Sequence, residues 1–402
     1  MNKHAVAVAE APKASGTAFQ SVALLLQGGG ALGAYQAGAY EALTAHGIEP
    51  TWVAGISIGA INCAIIAGNP LEKRVEKLRA YWEKVSDSGE RGFIDNWLAL
   101  WPGEEARRFA NQFVSGMILS HGVPGFFEPR IPPPYLAPCG PEATSWYDTK
   151  ALKATLEELV DFDRINAKET RFSVGAVEIT SGNFAYFDNA TDVIGAEHVM
   201  ASGALPPAFG PVEIDGKSYW DGGLVSNTPL EWVLSARSDL DTLIFQVDLW
   251  SARGDLPRDL AGVATRTKDI QYSSRTRAAT DHFRMVQKLR ATFHELMEKM
   301  PKALRESRES KFLAYEADPA VYNIVELVYR SQTYEGQSKD YEFSRLTMED
   351  HWRAGHDDAV KTLSHPEVLV PPQSPFGVKV YDFTTPPAVQ ERPAIPVKKA
   401  EL

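Results

Sequence analysis

The sequence predicts an α/β fold, a three-layer α/β/α domain with a mostly parallel central sheet. Two patterns predict it. Apolar runs at 21–27 and 51–54 have the composition of buried strands, and each is followed by a glycine-containing turn and a helix. Apolar runs at 170–177 and 240–249 continue this pattern further along the chain. Strands that alternate with helices pack as a sheet with helices on both faces.

The first turn is the glycine loop, residues 28–33, which reads Gly-Gly-Gly-Ala-Leu-Gly. Consecutive glycines let the backbone approach a ligand closely and present several N–H groups at one point. Such groups form an oxyanion hole, but the spacing of Gly28, Gly30 and Gly33 also fits a dinucleotide fingerprint. That fingerprint expects an acidic residue after the second strand, where this chain has Ser57. The nucleotide interpretation is therefore disfavoured, and close strand–helix packing is the structural alternative.

The second turn is the serine turn, residues 55–59, which reads Gly-Ile-Ser-Ile-Gly between a buried strand and an apolar helix. This pentad in this setting is typical of a nucleophile elbow. Because the turn is tight, the positions of Gly55 and Gly59 require small residues. The following helix directs its positive end at Ser57, where it stabilises negative charge. Chance matches to the pentad are common, so the turn alone leaves a catalytic role open.

The third feature is a predicted β-hairpin whose turn is Asp215-Gly216 and whose second strand ends at Asp221. Asp221 is followed by Gly222 and Gly223, so it lies where a strand gives way to a loop. Taken alone, an Asp-Gly pair is ordinary turn chemistry. Its carboxylate becomes a candidate base only in combination with the other two features.

In this order, the three features resemble the patatin-like phospholipase family, whose pattern is a glycine-rich oxyanion loop, a Gly-x-Ser-x-Gly elbow and a late Asp-Gly-Gly. Further similar segments are Ala60-Ile61-Asn62, residues 201–209 and Asn227-Thr228-Pro229-Leu230. The resemblance covers residues 22–249. It identifies the chain as a bacterial patatin-like serine acyl hydrolase with an extra helical C-terminal region.

The resemblance implies a Ser–Asp dyad without histidine. Ser57 is then the nucleophile, and Asp221 is the base that accepts its proton. A carboxylate of ordinary pKa is a poor base, so Asp221 needs a desolvated setting. The amide of Ile58 is a further candidate donor to the oxyanion. The full set of expected site residues is Ser57 and Asp221, the oxyanion-hole glycines Gly28, Gly29 and Gly30, and the motif glycines Gly33, Gly55, Gly59, Gly222 and Gly223, with no metal and no cofactor.

Two alternatives remain, a different hydrolase and a protein of another functional class. A Ser-His-Asp α/β-hydrolase places its acid and then its histidine after the serine. That enzyme is disfavoured because no later histidine lies in a glycine-rich loop at a strand end. The later histidines are His198, His282, His294, His351, His356 and His365.

The other alternative is a non-catalytic protein of this fold, or a nucleotide-binding module that uses the glycine loop.

Composition indicates a cytoplasmic globular protein. The 402 residues are 44% hydrophobic, which suffices for one large core with additions or for two domains. The net charge of -11 argues against nucleic acid as a partner. The expected partner is an acyl-ester lipid, and transient peripheral contact at a lipid surface is compatible with the sequence. Cys63 and Cys139, the two cysteines, indicate neither a disulfide framework nor a metal site.

The chain divides into segments of different composition. Residues 93–147 are rich in aromatics and prolines, and form either a subsidiary core or a cap whose apolar residues line an acyl-chain pocket. The candidate pocket residues are Phe109, Phe113, Phe126 and Phe127. The predicted segments are a flexible tail at 1–20, the patatin-like domain at 21–250, a helical C-terminal region at 251–365 and a proline-rich, extended or disordered tail at 366–402.

The glycine loop departs from that of many bacterial members of the family, which carry Arg or Lys where this chain has Ala31-Leu32. A cation there anchors a phosphate or stabilises anionic groups. Its absence leaves the prediction of an ester hydrolase intact and weakens that of a phospholipid-specific enzyme. Neutral lipids, acyl thioesters and short hydroxyacyl esters stay open as substrates.

Overall fold

A nine-stranded sheet is the centre of the computed structural model. Two further short strands pair with each other away from it. The structure describes residues 16–87, 103–137, 139–140, 143–236, 240–273, 276–332, 334–373 and 377–384. The strands are β1 (Ser21–Leu26), β2 (Trp52–Gly55), β3 (Glu128–Pro129), β4 (Tyr147–Asp148), β5 (Arg171–Glu178), β6 (Phe184–Asp188), β7 (Val212–Ile214), β8 (Lys217–Asp221), β9 (Thr242–Asp248), β10 (Tyr322–Val328) and β11 (Val378–Asp382).

The sheet is mostly parallel, as the sequence predicts. Its order is β11-β10-β9-β1-β2-β5-β8-β7, and β6 also pairs with β5. All pairs from β11 across to β5 are parallel, whereas β6, β7 and β8 pair in the antiparallel sense. The predicted hairpin is present, with Asp215 and Gly216 at its turn and both at positive φ. In parallel sheets the carboxyl ends of the strands share one edge, where ligands bind.

Helices cover both faces of the sheet, which confirms the three-layer architecture. Successive residues of β1 enter different cores: Leu24 and Leu26 pack on one face, and Ala23 and Leu25 on the other. Every helix in the described part of the chain is too short or too polar to cross a membrane. The α-helices are α1 (Ala34–Ala45), α2 (Ile58–Ala67), α3 (Arg74–Val85), α4 (Glu104–His121), α5 (Lys150–Leu159), α6 (Phe162–Asn166), α7 (Ala196–Ser202), α8 (Leu230–Ser235), α9 (Leu260–Tyr272), α10 (Thr276–Lys299), α11 (Lys302–Arg305), α12 (Arg308–Glu316) and α13 (Arg345–Leu363).

The register of β5 brings the hairpin to the serine turn. On one edge of β5, Val174 pairs with Gly55, the last residue of β2. Strand β6 pairs with β5 along its other edge, so β8 must continue along the edge that β2 leaves. There Ala176 pairs with Asp221, only two residues beyond the end of β2. The end of β8 therefore lies beside the serine turn.

The C-terminal region is helical but also extends the sheet. Strand β10 lies parallel to β9, and β11 lies parallel to β10. The prediction of an extended or disordered tail from residue 366 is therefore wrong for β11, whose alternating sequence Val-Lys-Val-Tyr-Asp fits a sheet edge. Helix α13 packs directly on α1 at Gly355. The two backbones are so close there that a Cβ at Gly355 would lie 1.9 Å from the carbonyl oxygen of Tyr35.

The predicted cap is described in part. Residues 93–102, with Trp97 and Trp101, lie outside the described residues, as do most of the two terminal tails. Helix α4 and the β3–β4 pair form the remainder. The side chains of Phe126 and Phe127 are buried, whereas Phe109 and Phe113 are exposed.

Candidate active site

Ser57 occupies a strained turn between β2 and α2. Its φ of 55° and ψ of −122° lie outside the usual regions for a residue with a side chain. A Cβ at Gly55 would lie 2.4 Å from the Gly59 backbone, and one at Gly59 would lie 2.2 Å from the Leu26 carbonyl oxygen. The amide of Ser57 donates to Ser202 Oγ at 3.0 Å. These contacts enforce the strain and leave the Ser57 side chain in the cavity described below.

Asp221 is buried at the end of β8 and faces Ser57. Its Oδ1 accepts a hydrogen bond from the Gly223 amide at 2.7 Å. Burial raises the pKa of Asp221 to about 7, although hydrogen bonds with the Ser57 side chain and the Gly223 amide act in the opposite direction. At neutral pH this carboxyl group therefore exchanges protons readily, next to a serine hydroxyl.

The glycine loop runs alongside Ser57. A Cβ at Gly28 would lie 3.1 Å from the Cβ of Ser57. The Gly28 amide donates to the Asn227 carbonyl oxygen at 3.3 Å, and the Ala31 amide donates to the Asp340 carbonyl oxygen at 2.8 Å. Within the described residues, no acceptor pairs with the amides of Gly29, Gly30 or Ile58. The amide of Gly28, expected from the sequence to be an oxyanion donor, is already engaged with Asn227, so the amides of Gly29, Gly30 and Ile58 are the donors left for a ligand.

Side chains from other elements hold the glycine loop in place. The carbonyl oxygen of Gly28 accepts from Asn227 Nδ2 at 3.0 Å and from Trp250 Nε1 at 2.9 Å. Gln27 Oε1 accepts from the amides of Leu249 and Trp250 at 2.6 and 3.0 Å. Gln36 Nε2 donates to the Gln27 carbonyl oxygen at 2.7 Å. The loop is thus fixed by buried polar groups rather than by its own glycines.

Ser57, Asp221 and the glycine loop open onto one cavity of about 200 Å³. Its walls are mainly apolar and aromatic. The rings of Phe126, Phe127 and Phe209 pack on one another at centroid distances of 5.3 to 5.7 Å. No Lys, Arg or His belongs to the described part of the lining. The apolar and aromatic residues that line it are Ile58, Ile61, Leu119, Phe126, Phe127, Tyr147, Leu205, Ala208, Phe209, Trp250, Tyr272, Tyr341 and Phe343.

Comparisons with known proteins agree with this geometry. The family model described as patatin-like phospholipase matches residues 24–234, more than half of the chain. The chain belongs to the patatin-like phospholipase family. Lipid acyl hydrolysis is the activity of that family, and the matched range contains Ser57, Asp221 and the glycine loop.

A second model, described as patatin phospholipase, matches residues 270–374 of this patatin-like protein. Among solved structures, VipD from Legionella pneumophila is similar with 16% sequence identity and a TM-score of 0.38, covering 88% of this chain and 67% of that one. No curated protein matches the chain.

The patatin-like fold brings together the residues singled out from the sequence. Ser57, Asp221 and Gly28–Gly30 share the cavity, while Gly33 and Gly222 pack against neighbouring elements. No histidine is part of the described lining; His351 is buried elsewhere, paired with Glu335. This arrangement offers no support for a Ser-His-Asp site.

Sequence reasoning missed several residues of the patatin-like site. Asn227 was matched as part of a motif but given no function. Trp250 comes two residues after the end of β9. Because the residues that follow parallel strands converge at one edge of the sheet, its place in the sequence is a signal that it lies near the site. Asp340, Tyr341 and Phe343 come from the C-terminal region, and no sequence pattern pointed to them.

Proposed function

We propose that the protein is a serine acyl hydrolase that cleaves carboxylic esters of lipids, with Ser57 as nucleophile and Asp221 as base. One observation carries the proposal: the carboxyl group of Asp221 is buried next to the Ser57 side chain in the same cavity, and burial raises its pKa to about 7. A serine hydroxyl becomes a good nucleophile when an adjacent base accepts its proton. A base with a pKa near the working pH serves this purpose best.

In acylation, Ser57 Oγ bonds to the ester carbonyl carbon while its proton passes to Asp221. The carbonyl oxygen becomes an oxyanion, which accepts hydrogen bonds from the free amides of Gly29, Gly30 and Ile58. The intermediate then collapses. Its ester C–O bond breaks, and Asp221 returns the proton to the departing alcohol.

In deacylation, a water molecule attacks the acyl-enzyme carbonyl and gives a proton to Asp221. The bond between the acyl carbon and Ser57 Oγ breaks, and Asp221 returns the proton to Oγ. A carboxylic acid leaves and the enzyme is restored. The positive end of α2 stabilises negative charge at Ser57 in both steps.

The aromatic cavity suits the acyl chain of the substrate. Ligand sites are mostly apolar with few polar groups, and here the polar groups cluster at Ser57 and the glycine loop. The described lining carries carboxyl groups and no cationic side chain, so no Lys, Arg or His in it forms an ion pair with a phosphate. We therefore propose that the acyl chain enters the cavity and that neutral acyl esters are cleaved at least as well as phospholipids.

Labelling with a fluorophosphonate probe, which reacts with activated serines, tests this function. We expect the wild type to be labelled, Ser57→Ala to be unlabelled and Asp221→Asn to be labelled at least 100-fold more slowly, roughly as for loss of a general base. A panel of neutral esters, thioesters and phospholipids then identifies the preferred substrate. Absence of labelling of the folded wild type, or equal labelling of Ser57→Ala, would contradict the proposal.

A further inference from the structure

In the described part of the chain, the hydrogen bonds between the C-terminal region and the glycine loop are made by Ala31. The Ala31 amide donates to the Asp340 carbonyl oxygen at 2.8 Å. The Ala31 carbonyl oxygen lies 3.4 Å from Nδ1 of His351 on α13. Gly30, one residue earlier, has a φ of 56°, and a Cβ there would lie 2.0 Å from the same Asp340 oxygen. Both polar backbone groups of Ala31 are therefore held by the C-terminal region.

We propose that Asp340 and His351 are positioning residues that fix the Ala31 backbone and thereby aim the amides of Gly29 and Gly30 at the oxyanion. This inference rests on the proposed function of the same site. The C-terminal region is then part of the ester-cleaving machinery rather than an independent appendage.

The geometry of the loop explains why such a clamp is needed. Each peptide unit is planar, so a fixed Ala31 N–H also fixes the Gly30 carbonyl group. Only the backbone torsions of Gly30 separate this plane from the one that contains the Gly30 N–H. Glycine torsions are soft, so the loop cannot set the direction of that N–H by itself.

Two ion pairs hold Asp340 at its place. Lys268 Nζ on α9 lies 2.8 and 2.9 Å from the two carboxylate oxygens of Asp340, and it also donates to the Gln337 carbonyl oxygen at 2.9 Å. The neighbouring Lys339 is buried and donates to Asp269 Oδ1, also on α9, at 2.6 Å. Helix α9 therefore anchors the segment that carries the Asp340 carbonyl group.

His351 is held by a buried carboxylate. Its Nε2 lies 2.5 Å from Glu335 Oε1, and the Glu335 carboxylate also accepts from the Tyr329 hydroxyl at 2.9 Å. Burial, the largest single effect, lowers the pKa of His351. The charge and hydrogen bond of Glu335, the charge of Glu342 and the Ala31 carbonyl group together outweigh it, so the net direction is upward. In the protonated ring both nitrogens donate, so Nδ1 is available to the Ala31 carbonyl oxygen.

The test compares oxygen esters with thionoesters, in which the carbonyl oxygen is replaced by sulfur. Sulfur is a weak hydrogen-bond acceptor, so an oxyanion hole accelerates the oxygen ester far more than the thionoester. In Lys268→Met and His351→Gln we expect kcat for the oxygen ester to fall roughly 10- to 100-fold, in line with misplacement of catalytic groups by about 1 Å. The ratio of oxygen-ester to thionoester rates falls with it, while KM changes less than twofold.

Arg79→Met is the matched control. It removes an ion pair of 2.9 Å between α3 and Glu349 on α13. The cations of the two pairs are similarly exposed, at 33% for Arg79 and 30% for Lys268, but the Arg79–Glu349 pair does not reach the glycine loop. We expect it to keep the wild-type rate ratio, and we expect Lys268→Arg to restore most of the ratio lost in Lys268→Met.

An unchanged ratio in folded Lys268→Met would overturn the inference, as would an equal fall in Arg79→Met. Lys268 is partly exposed, so its variant decides the question even where His351→Gln does not fold. Failure of the proposed function looks different, because the wild type itself would then neither react with fluorophosphonate at Ser57 nor cleave esters.

Discussion

Ser57 and the buried Asp221 face one cavity, and Asp221 has a pKa of about 7 although its interaction with the Ser57 side chain lowers that value. Hydrogen bonding to a carboxylate lowers its pKa, whereas removal from water raises it. Here burial outweighs the hydrogen bonds from Ser57 and Gly223. The pKa of Asp221 is thereby brought near neutrality, as its proposed role as a base at neutral pH requires.

The pH dependence of ester hydrolysis follows from this pKa. Only ionised Asp221 accepts the proton of Ser57, so kcat/KM is expected to rise about tenfold per pH unit below 7 and to level off above it. Initial rates with a neutral ester between pH 5 and 9 measure the profile. A neutral substrate serves as the control, since its own charge does not change in that range. A flat profile from pH 5 to 8 would contradict the assignment of Asp221 as base.

The same pKa affects stability. Because burial raises the pKa of folded Asp221 above its unfolded value near 4, the native state binds the proton more tightly between pH 4 and about 7. This contribution to the free energy of unfolding amounts to at most about 4 kcal/mol. It is fully present below pH 4 and is lost as the pH rises through about 7. Asn does not titrate, so Asp221→Asn is expected to become more stable than wild type as pH rises. Thermal unfolding of both proteins from pH 4 to 8 measures the difference.

Asp215→Asn is a suitable control for that experiment. Asp215 belongs to the same hairpin but is exposed, and its positive φ suits Asn equally well. We expect the Tm of Asp215→Asn to follow that of wild type at every pH. A Tm difference between Asp221→Asn and wild type that is independent of pH would show that Asp221 titrates normally in the folded protein.

The parts of the site that sequence predicted are those determined by local chemistry. Gly55 and Gly59 had to be small because the turn is tight, and the contacts of 2.4 and 2.2 Å confirm it. The Asp215-Gly216 turn likewise follows from residues that accept positive φ. In such turns a few neighbouring residues determine the backbone conformation.

The parts that sequence did not predict depend on distant pairings. Asp221 lies beside the serine turn because β8 continues the edge of β5 that β2 leaves, and this register is a property of the whole sheet. Asp340 contributes a backbone carbonyl group, which any residue type possesses. No side-chain pattern marks such a contact, so the contribution of the C-terminal region is visible only in the folded chain.

The Gly30→Ala variant tests whether the close packing of the C-terminal region on the glycine loop matters for activity. In Gly30→Ala the new Cβ would lie 2.0 Å from the Asp340 carbonyl oxygen, at a positive φ. Backbone atoms cannot move aside as a flexible side chain does, so the loop must shift. We expect hydrolysis to fall at least 100-fold, roughly the effect of losing one oxyanion donor, with the rates measured on protein shown to be folded by circular dichroism.

Gly216→Ala separates the clash from the cost of the backbone conformation. Gly216 also has a positive φ, of 75°, but nothing lies within 4 Å of the position of a Cβ. The Gly216→Ala variant is therefore expected to lose roughly 1–2 kcal/mol of stability, the cost of a left-handed conformation for a residue with a Cβ, and to keep its activity. Near-normal activity of Gly30→Ala would show that the loop tolerates displacement and that its position is not critical.

Under the proposed function, the aromatic residues of the cavity wall are expected to determine which acyl chains fit. Phe126 is buried and packs against Phe127, Phe209 and Phe343 at ring-centroid distances of 5.3 to 5.8 Å. Phe126→Ala opens space there, so longer acyl chains are expected to gain in kcat/KM relative to short ones. Burial of a methylene contributes about 0.8 kcal/mol, or roughly fourfold for each added carbon that fits. Rates with esters of increasing chain length measure the shift.

Phe113→Ala distinguishes this effect from a general loss of packing in the cap. Phe113 lies on α4, but its side chain is 54% exposed and is not part of the cavity lining. We expect its chain-length profile to match that of wild type. Phe126→Ala is expected to lose about 3 kcal/mol of stability, as large-to-small core changes do, so its profile is recorded well below its Tm. Lost stability with an unchanged profile would mean that the aromatic wall supports the cap without contacting the acyl chain.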